Sequence, residues 1–421
     1  MTPPAHGGTP GTPDEEARAA AASAARDGYG RVLALLAAPT GDIAAAEDAL
    51  ADALERALRS WPDEGVPRSP EAWLLTVARN RLKDHWKSAA TRTGVPLDPE
   101  RHGGRQVDDV DPDAIGDRRL ELMLVCAHPA IDVGVRTPLM LNTVLGFTAA
   151  EIAGAMAIPP TTLAARLVRA KRRIKGAGVP FAVPDRSALP DRMASVLEAV
   201  YGTYAIDWPT GGLERREGMT AEALHLAKTL AALAPEDGEA QALAALVCLS
   251  AARAPARRDA TGAFVPLAEQ DTGLWSVPLV ERGRAHLRRA HATGALGRFV
   301  LEAAVQAVHV ARMDTGTTDW PALLELHRAA HRLAPTLGSA AALAATTGEV
   351  DGPEAGLRVL GELGDRARRF QPAWATRAHL LARAGRVEEA ARAFDKAVSL
   401  TTDPGERRHL EHRRSALPPL H

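Results

Sequence analysis

Residues 148–175 read TAAEIAGAMAIPPTTLAARLVRAKRRIK, a pattern of two helices joined by a tight turn. Thr148 and Glu151 have the spacing of a capping box, which starts a helix by satisfying its free N–H groups. Pro159 and Pro160 then predict a turn, because proline cannot continue a helix but suits the opening of the next one. The second helix has apolar residues at steps of four, three and four, which places them on one face. These residues are Leu163, Leu167, Ala170 and Ile174.

The other face of this second helix is basic. Residues 160–175 hold six Lys and Arg residues and no acid, whereas a solvated helix face usually carries both signs. This favours a helix-turn-helix, in which the second helix enters the major groove of DNA. A basic helix in an ordinary bundle is the alternative. In the DNA-binding interpretation, base edges are approached by Thr161, Thr162 and Ala165. Phosphates are held by Arg166, Arg169, Arg172 and Arg173.

Two earlier helices also have one charged face. In EAWLLTVARNRLKDHWK, residues 71–87, a basic row of Arg79, Lys83 and Lys87 recurs every four residues beside an apolar stripe. In DIAAAEDALADALERALRSW, residues 42–61, an acidic row is formed by Asp48, Asp52 and Glu55. An acidic row cannot bind DNA, so it is either solvated surface or a docking face for a basic partner. The predicted buried stripe of this helix is Ile43, Leu50, Leu54, Ala57 and Leu58.

Composition predicts an all-α protein with several domains. The 421 residues are rich in Ala and Leu, only 4% are aromatic, and the formal charge is −1. We expect a disordered tail (1–25), a helical module (26–92), a flexible acidic linker (93–117), a second helical module (118–180) and a helical-repeat extension (190–417). The last repeat, 372–404, has tetratricopeptide-like spacing around Gly385, Ala390, Phe394 and Ala397.

Several classes of function have no support in the sequence. There is no Gly-rich phosphate loop, nucleophile elbow or paired set of metal ligands, so we expect neither an enzyme, nor a metal, nor a cofactor. The two cysteines, Cys126 and Cys248, are predicted to be buried thiols. No apolar stretch is long enough to span a membrane, and no secretory signal opens the chain, so we expect a cytoplasmic protein.

The three charged helices, in this order, resemble the extracytoplasmic-function (ECF) group of sigma-70 factors. AEDALADALERAL (46–58) looks like the polymerase-docking helix of region 2 in that family, although Ala51 stands where the family commonly has Gln. AWLLTVARNRLKDHWK (72–87) is similar to its −10-reading segment, whose usual form is A-W-L-x-x-I-A-R-N-x-x-x-D. Residues 148–174 resemble its region 4 helix-turn-helix, which reads the −35 element.

The resemblance spans about residues 27–180 and implies core RNA polymerase and promoter DNA as partners. It assigns polymerase binding to Asp48, Asp52 and Glu55, and −10 contacts to Arg79, Asn80, Lys83 and Lys87. The extension resembles that of sigma factors with long helical-repeat tails, where it is implied to modulate activity in place of a separate anti-sigma partner. A protein or ligand is the expected partner of the repeats themselves. In place of the usual Phe-Asn-Glu-Gly-Tyr stretch this chain has VYGTYAID (200–207). The alternatives are a helix-turn-helix regulator that never docks on polymerase and a repeat scaffold whose DNA-binding part has decayed.

Overall fold

The computed structural model describes residues 12–93, 117–156, 158–205, 212–401 and 403–419. Within these ranges the chain is helical, and its only β-type pairing is one antiparallel bridge between Arg258 and Phe264. The prediction of an all-α protein is therefore confirmed. The chain divides into two compact units, residues 1–219 and 220–421.

The helices of the first unit form two modules. The N-terminal module comprises α1 (Pro13–Asp27), α2 (Tyr29–Ala37), α3 (Ile43–Glu64) and α4 (Pro70–Thr93). The second module, called the helix-turn-helix module after the sequence prediction for residues 148–175, comprises α5 (Arg119–Cys126), α6 (Val133–Thr143), α7 (Ala149–Met156), α8 (Pro160–Gly176) and α9 (Pro190–Ala205). The predicted acidic linker between them lies almost entirely outside the described residues.

The N-terminal tail differs from the sequence prediction. Residues 13–25 belong to α1, so the expectation of disorder over 1–25 is wrong for that part, and residues 1–11 lie outside the described ranges. A capping box starts this helix: the Glu15 amide donates to the Thr12 hydroxyl, and the Glu15 carboxylate accepts from the Thr12 amide at 2.9 Å. The helix then buries Ala17, Ala21 and Ala24 and packs on α3. Small side chains at steps of four and three give it a face that fits closely against a neighbour.

Helix α9, with which the extension was predicted to begin at residue 190, packs on the preceding module. It packs on α5 and α6 and belongs to the first unit. Arg136 of α6 donates to the Asp191 carbonyl at 3.0 Å, and Arg192 donates to the Leu124 carbonyl at 2.9 Å. Val196 and Val200 are fully buried. These contacts make α9 part of the core of the helix-turn-helix module.

The second unit is a succession of packed helices. They are α10 (Gly212–Leu233, which crosses the unit boundary), α11 (Gly238–Ala251), α12 (Val277–Ala292), α13 (Arg298–Val310), the single turn α14 (Arg312–Thr315), α15 (Trp320–Leu333), α16 (Leu337–Val350), α17 (Pro353–Gly361), α18 (Gln371–Arg383), α19 (Val387–Leu400) and α20 (Pro404–Ser415). From α15 onward each helix packs on the next.

The last predicted repeat has the expected packing. Gly385, with φ 72°, separates α18 from α19. Ala390, Phe394 and Ala397 of α19 form one buried cluster with Ala378 and Leu381 of α18. The two predicted helices and their shared apolar face are confirmed, while membership of a tetratricopeptide class stays a prediction.

A glycine in α17 allows the close approach of α16. A Cβ at Gly356 would lie 2.5 Å from the carbonyl oxygen of Ala344, which is backbone and cannot rotate away. We expect Gly356→Ala to lower the free energy of unfolding by about 1–2 kcal/mol, the cost of overpacking. Gly361→Ala is the matched control, since a Cβ there meets no atom within 4 Å. It should leave stability unchanged or raise it slightly. Urea midpoints of the two full-length variants make the comparison, and equal shifts would contradict the packing argument.

Candidate nucleic-acid interface

The second helix of the predicted helix-turn-helix, α8, buries the apolar face that the sequence predicted. Its apolar stripe, Leu163, Leu167, Ala170 and Ile174, is between 0% and 7% exposed. The helix before it begins with the predicted capping box, in which the Thr148 amide donates to Glu151 at 2.8 Å and the Glu151 amide donates to Thr148 at 3.2 Å. Pro159 is the N-cap residue of α8 and Pro160 its first residue. The local signals therefore fix both the turn and the buried face of α8.

The opposite face of α8 is open and basic. All seven residues predicted to contact DNA there are exposed, namely Thr161, Thr162, Ala165, Arg166, Arg169, Arg172 and Arg173. None of the four arginines forms an ion pair with another residue that the structure describes. Three of them also line a hollow of about 380 Å³ next to the start of α6. One carboxylate, that of Asp132, lines the same hollow. The surface suits phosphate contacts, since its four arginines have no ion-pair partner among the described residues.

Unlike the four arginines, two lysines of α8 form ion pairs with residues of the N-terminal module. The sequence did not predict these pairs. Lys171 Nζ lies 2.6 and 2.7 Å from the two carboxylate oxygens of Glu47 on α3, and 2.9 Å from Asn142 Oδ1. The two charged side chains are only 11% and 20% exposed. Burial raises the pKa of the Glu47 carboxyl above its usual value, and Lys171 acts in the opposite direction. Lys175 binds Asp42 at 2.6 Å. The sequence feature that could have indicated the burial of Lys171 is its position between Leu167 and Ile174, at the border of the apolar stripe of α8.

Backbone contacts reinforce this interface between the two modules. A Cβ at Gly30 of α2 would lie 1.8 Å from the carbonyl oxygen of Val144, so only glycine permits this approach. Tyr29 lies beside Gly146, and burial raises the pKa of its hydroxyl. Helix α2 also packs on α5, and α3 packs on α8. The N-terminal module and the helix-turn-helix module are therefore in direct, close contact.

The basic row of α4 is less open than predicted. Leu74, Leu75, Ala78 and Leu82 are buried, and the half-buried Trp73 ring packs edge-on against Trp61 with centroids 5.4 Å apart. Asn80 is exposed, Lys83 is half-buried, and Arg79 is half-buried with its pKa lowered by burial. The side chain of Lys87 lies outside the described residues. Of the four residues predicted to contact the −10 element, Asn80 is thus the most exposed of those whose side chains the structure describes.

The acidic row of α3 is exposed and partly paired. Asp48, Asp52 and Glu55 are all on the surface. Asp52 accepts from Arg81 of α4 at 2.6 Å, and Glu55 pairs with Arg59 one turn later. Leu58 was predicted to be buried, which is wrong: its side chain is 47% exposed. Ile43, Leu50 and Ala57 are buried as predicted, and Leu54 is half-buried. The buried face of α3 also includes Ala46, Ala49, Ala53 and Trp61. Leu58 therefore adds an apolar side chain to the exposed part of α3.

Other chemistry has little support in the described part of the chain. Cys126 and Cys248 are buried as predicted, and burial raises their thiol pKa values to about 12 and about 11. Such thiols are poor nucleophiles, because the reactive form is the thiolate. The described residues contain no cluster of three potential metal ligands. None of their helices combines the length and apolarity of a membrane-spanning segment.

Comparisons with known proteins found similarity both in the N-terminal module and in the region that follows the helix-turn-helix module. The family model for sigma-70 region 2 matches residues 25–92, and a family of unknown function (DUF6596) matches residues 192–291. Uncharacterized protein R00370 of Rhizobium meliloti is 33% identical over 380 residues, which cover 87% of this chain and 89% of that protein. The ECF RNA polymerase sigma factor SigL of Mycobacterium tuberculosis is 31% identical over 140 residues, 32% of this chain and 76% of SigL. No solved structure matches the chain.

Proposed function

Because the chain belongs to the extracytoplasmic-function group of the sigma-70 family, we propose that it directs core RNA polymerase to promoters by reading −10 and −35 elements. The observation that carries the proposal is the exposed arginine face of α8, whose opposite, apolar stripe is buried. This helix occurs in the same chain as a segment that matches sigma-70 region 2. The protein then acts by binding, not by catalysis, and works in the cytoplasm where its polymerase is.

The described surfaces divide the work among three helices. Asp48, Asp52 and Glu55, with exposed Leu58 beside them, form the docking face for polymerase on α3. On α4, Asn80 and Lys83, with Arg79, face the −10 element, and the contact of Lys87 with it stays a prediction from the sequence. The arginines of α8 hold phosphates at the −35 element while Thr161, Thr162 and Ala165 approach the bases. Tethering the two DNA-binding modules makes the second contact effectively intramolecular.

This function requires the two modules to separate. Elements named −10 and −35 lie about 25 base pairs apart, which is roughly 85 Å at 3.4 Å per base pair. In the structure, by contrast, Lys171 of the −35 module touches Glu47 of the −10 module at 2.6 Å. The 23 residues between Thr93 and Asp117 provide 24 Cα–Cα steps that extend to roughly 80 Å, a reach comparable to this distance. We therefore expect the contact to open when both elements are bound.

We also propose that the second unit modulates this activity. The support is that R00370 is similar over both units, so that the two occur together in one chain. The DUF6596 match also begins inside α9 and continues to α12, across the unit boundary. The alternative, a helix-turn-helix regulator without polymerase docking, shares α8 but gives no role to the acidic row of α3.

The test is transcription by purified core polymerase on genomic DNA fragments, with and without the full-length protein. We expect defined transcript starts only when the protein is present. Asp48→Lys/Asp52→Lys should weaken core binding at least about tenfold by reversing the docking charge. Asp63→Lys/Glu64→Lys, the same charge change on exposed residues at the end of α3, should leave it unchanged. A protein that binds DNA but never associates with core would contradict the proposal and favour the regulator.

A further inference from the structure

A basic groove lies in the second unit, where the segment after α17 meets α18 and α19. Its volume is about 890 Å³. Five cationic side chains line it against a single carboxylate, Asp365. The cationic residues are Arg366, Arg368, Arg369, Arg392 and Lys396. The whole chain has a formal charge of −1, so this is a local concentration of positive charge.

The charge of this groove is only weakly compensated by its described surroundings. Glu389 pairs directly with Arg386, and Arg392 is close enough to contribute, after Arg386, to lowering the pKa of the Glu389 carboxyl. Arg366, Arg369, Arg392 and Lys396 are exposed and form no ion pair with any residue that the structure describes. Arg368 approaches Asp365 at only 3.8 Å, with both side chains largely in solvent. An exposed pair of this kind contributes little. The groove therefore offers cations that an anionic partner can pair with.

Trp374 shapes the wall of the groove. Its Nε1 donates to the Arg368 carbonyl at 3.3 Å, which holds the arginine-rich segment against the start of α18. The Arg377 guanidinium lies 5.7 Å from the centre of the indole, and the ring also packs against the buried cluster of α18 and α19. Binding of single-stranded nucleic acid relies on aromatic faces that are free to stack on bases. This ring is engaged by its own neighbours, which disfavours a nucleic acid as the occupant.

We propose that this groove binds an acidic peptide segment of a partner protein. Arginine side chains pair with carboxylates through two parallel hydrogen bonds, and the groove presents four arginines and a lysine. Stacked helical repeats commonly bind extended segments on their concave surfaces. The carboxylates of the peptide would pair with Arg392 and Lys396, four residues apart on α19, and with the arginines before α18. This interaction goes beyond promoter recognition and does not depend on it.

The test uses a fluorescein-labelled decapeptide of alternating Asp and Glu, with fluorescence anisotropy on the full-length protein. Arg392→Glu/Lys396→Glu should weaken binding about tenfold or more, since two attractions become repulsions. Arg288→Glu/Arg289→Glu is the matched control, because it makes the same charge change at exposed residues of α12. A second control, Arg169→Glu/Arg172→Glu on α8, separates the groove from the DNA-binding face. Both controls should bind the peptide within about twofold of the unaltered protein.

Equal loss of binding in the groove variant and the α12 control would overturn the proposal, because it would reduce the effect to net charge. Displacement of the peptide by oligothymidylate or by inorganic phosphate at lower concentrations than by unlabelled peptide would also overturn it. Arg392 and Lys396 are exposed, so their variants should fold. If the double Glu variant melts early, Arg392→Gln/Lys396→Gln tests the same contacts without added repulsion, and unchanged peptide affinity in it would count against the groove.

Discussion

Replacing Glu47 by leucine should open the contact between the N-terminal module and the helix-turn-helix module. The substitution leaves Lys171, which is only 11% exposed, without its carboxylate partner. Removing one member of a buried ion pair costs roughly 3 kcal/mol, because the other charge stays desolvated and unpaired. That corresponds to more than about a hundredfold change in the ratio of closed to open molecules. The two modules should therefore separate while each keeps its own fold.

Energy transfer between dyes measures this opening directly. Asp63→Cys on α3 and Ala177→Cys after α8 provide two exposed labelling positions, while Cys126 and Cys248 are buried and unreactive. Transfer should be efficient in the parent protein and fall in Glu47→Leu. Glu55→Leu is the matched control, since Glu55 is an exposed carboxylate of the same helix and its pair contributes little.

Two further variants separate charge from shape. Glu47→Leu/Lys171→Met replaces both charges by apolar side chains of similar size, and such a replacement of a buried pair is often neutral or stabilising. Efficient transfer should return in that variant. Gly30→Ala leaves the charges in place but puts a Cβ 1.8 Å from the Val144 carbonyl oxygen, so it should lower transfer by steric conflict alone. Unchanged energy transfer in both Glu47→Leu and Gly30→Ala would show that the association of the two modules does not depend on these contacts.

The parts of the fold that could be predicted from sequence are those whose signals are local. The capping box of Thr148 and Glu151, the turn at Pro159 and the stripe from Leu163 to Ile174 all act within a few residues, and the structure has them as expected. Glu47 and Lys171 are 124 residues apart. No pattern within one helix indicates that they meet, so the sequence interpretation placed Lys171 simply among the basic residues of α8.

The wrong predictions also concern contacts between distant segments, because the burial of a residue depends on what its helix packs against. Leu58 fits an apolar periodicity, but Trp61 fills the core at that end of α3 and leaves Leu58 in solvent. Residues 13–25 have the composition of a tail, yet their alanines find a partner in α3. The sequence pattern also gave no sign that α9, where the extension was predicted to begin, is attached to the preceding module by the hydrogen bonds of Arg136 and Arg192.

Charge reversal on α8 should abolish most of its affinity for promoter DNA. Arg169 and Arg172 are exposed and unpaired within the described residues, so their positive charge is available to phosphates. Arg169→Glu/Arg172→Glu should weaken binding roughly a hundredfold at low salt, because two attractive contacts become repulsive. The measurement is anisotropy with a labelled promoter duplex taken from the transcription experiment, over a range of salt concentrations.

The neutral variant Arg169→Ala/Arg172→Ala tests whether these two arginines contact phosphates. Each lost phosphate contact lowers the slope of log affinity against log salt by about one, so this variant should lose about two. Arg288→Ala/Arg289→Ala, with the same loss of charge on α12, should keep the full slope. Thr162→Val should also keep it while changing the preferred base sequence, since Thr162 is exposed at the start of α8, where base edges are read. If the slope fell equally in the α8 and α12 variants, the arginines of α8 would be acting only through the net charge of the protein. That result would contradict the proposal that α8 lies in the major groove.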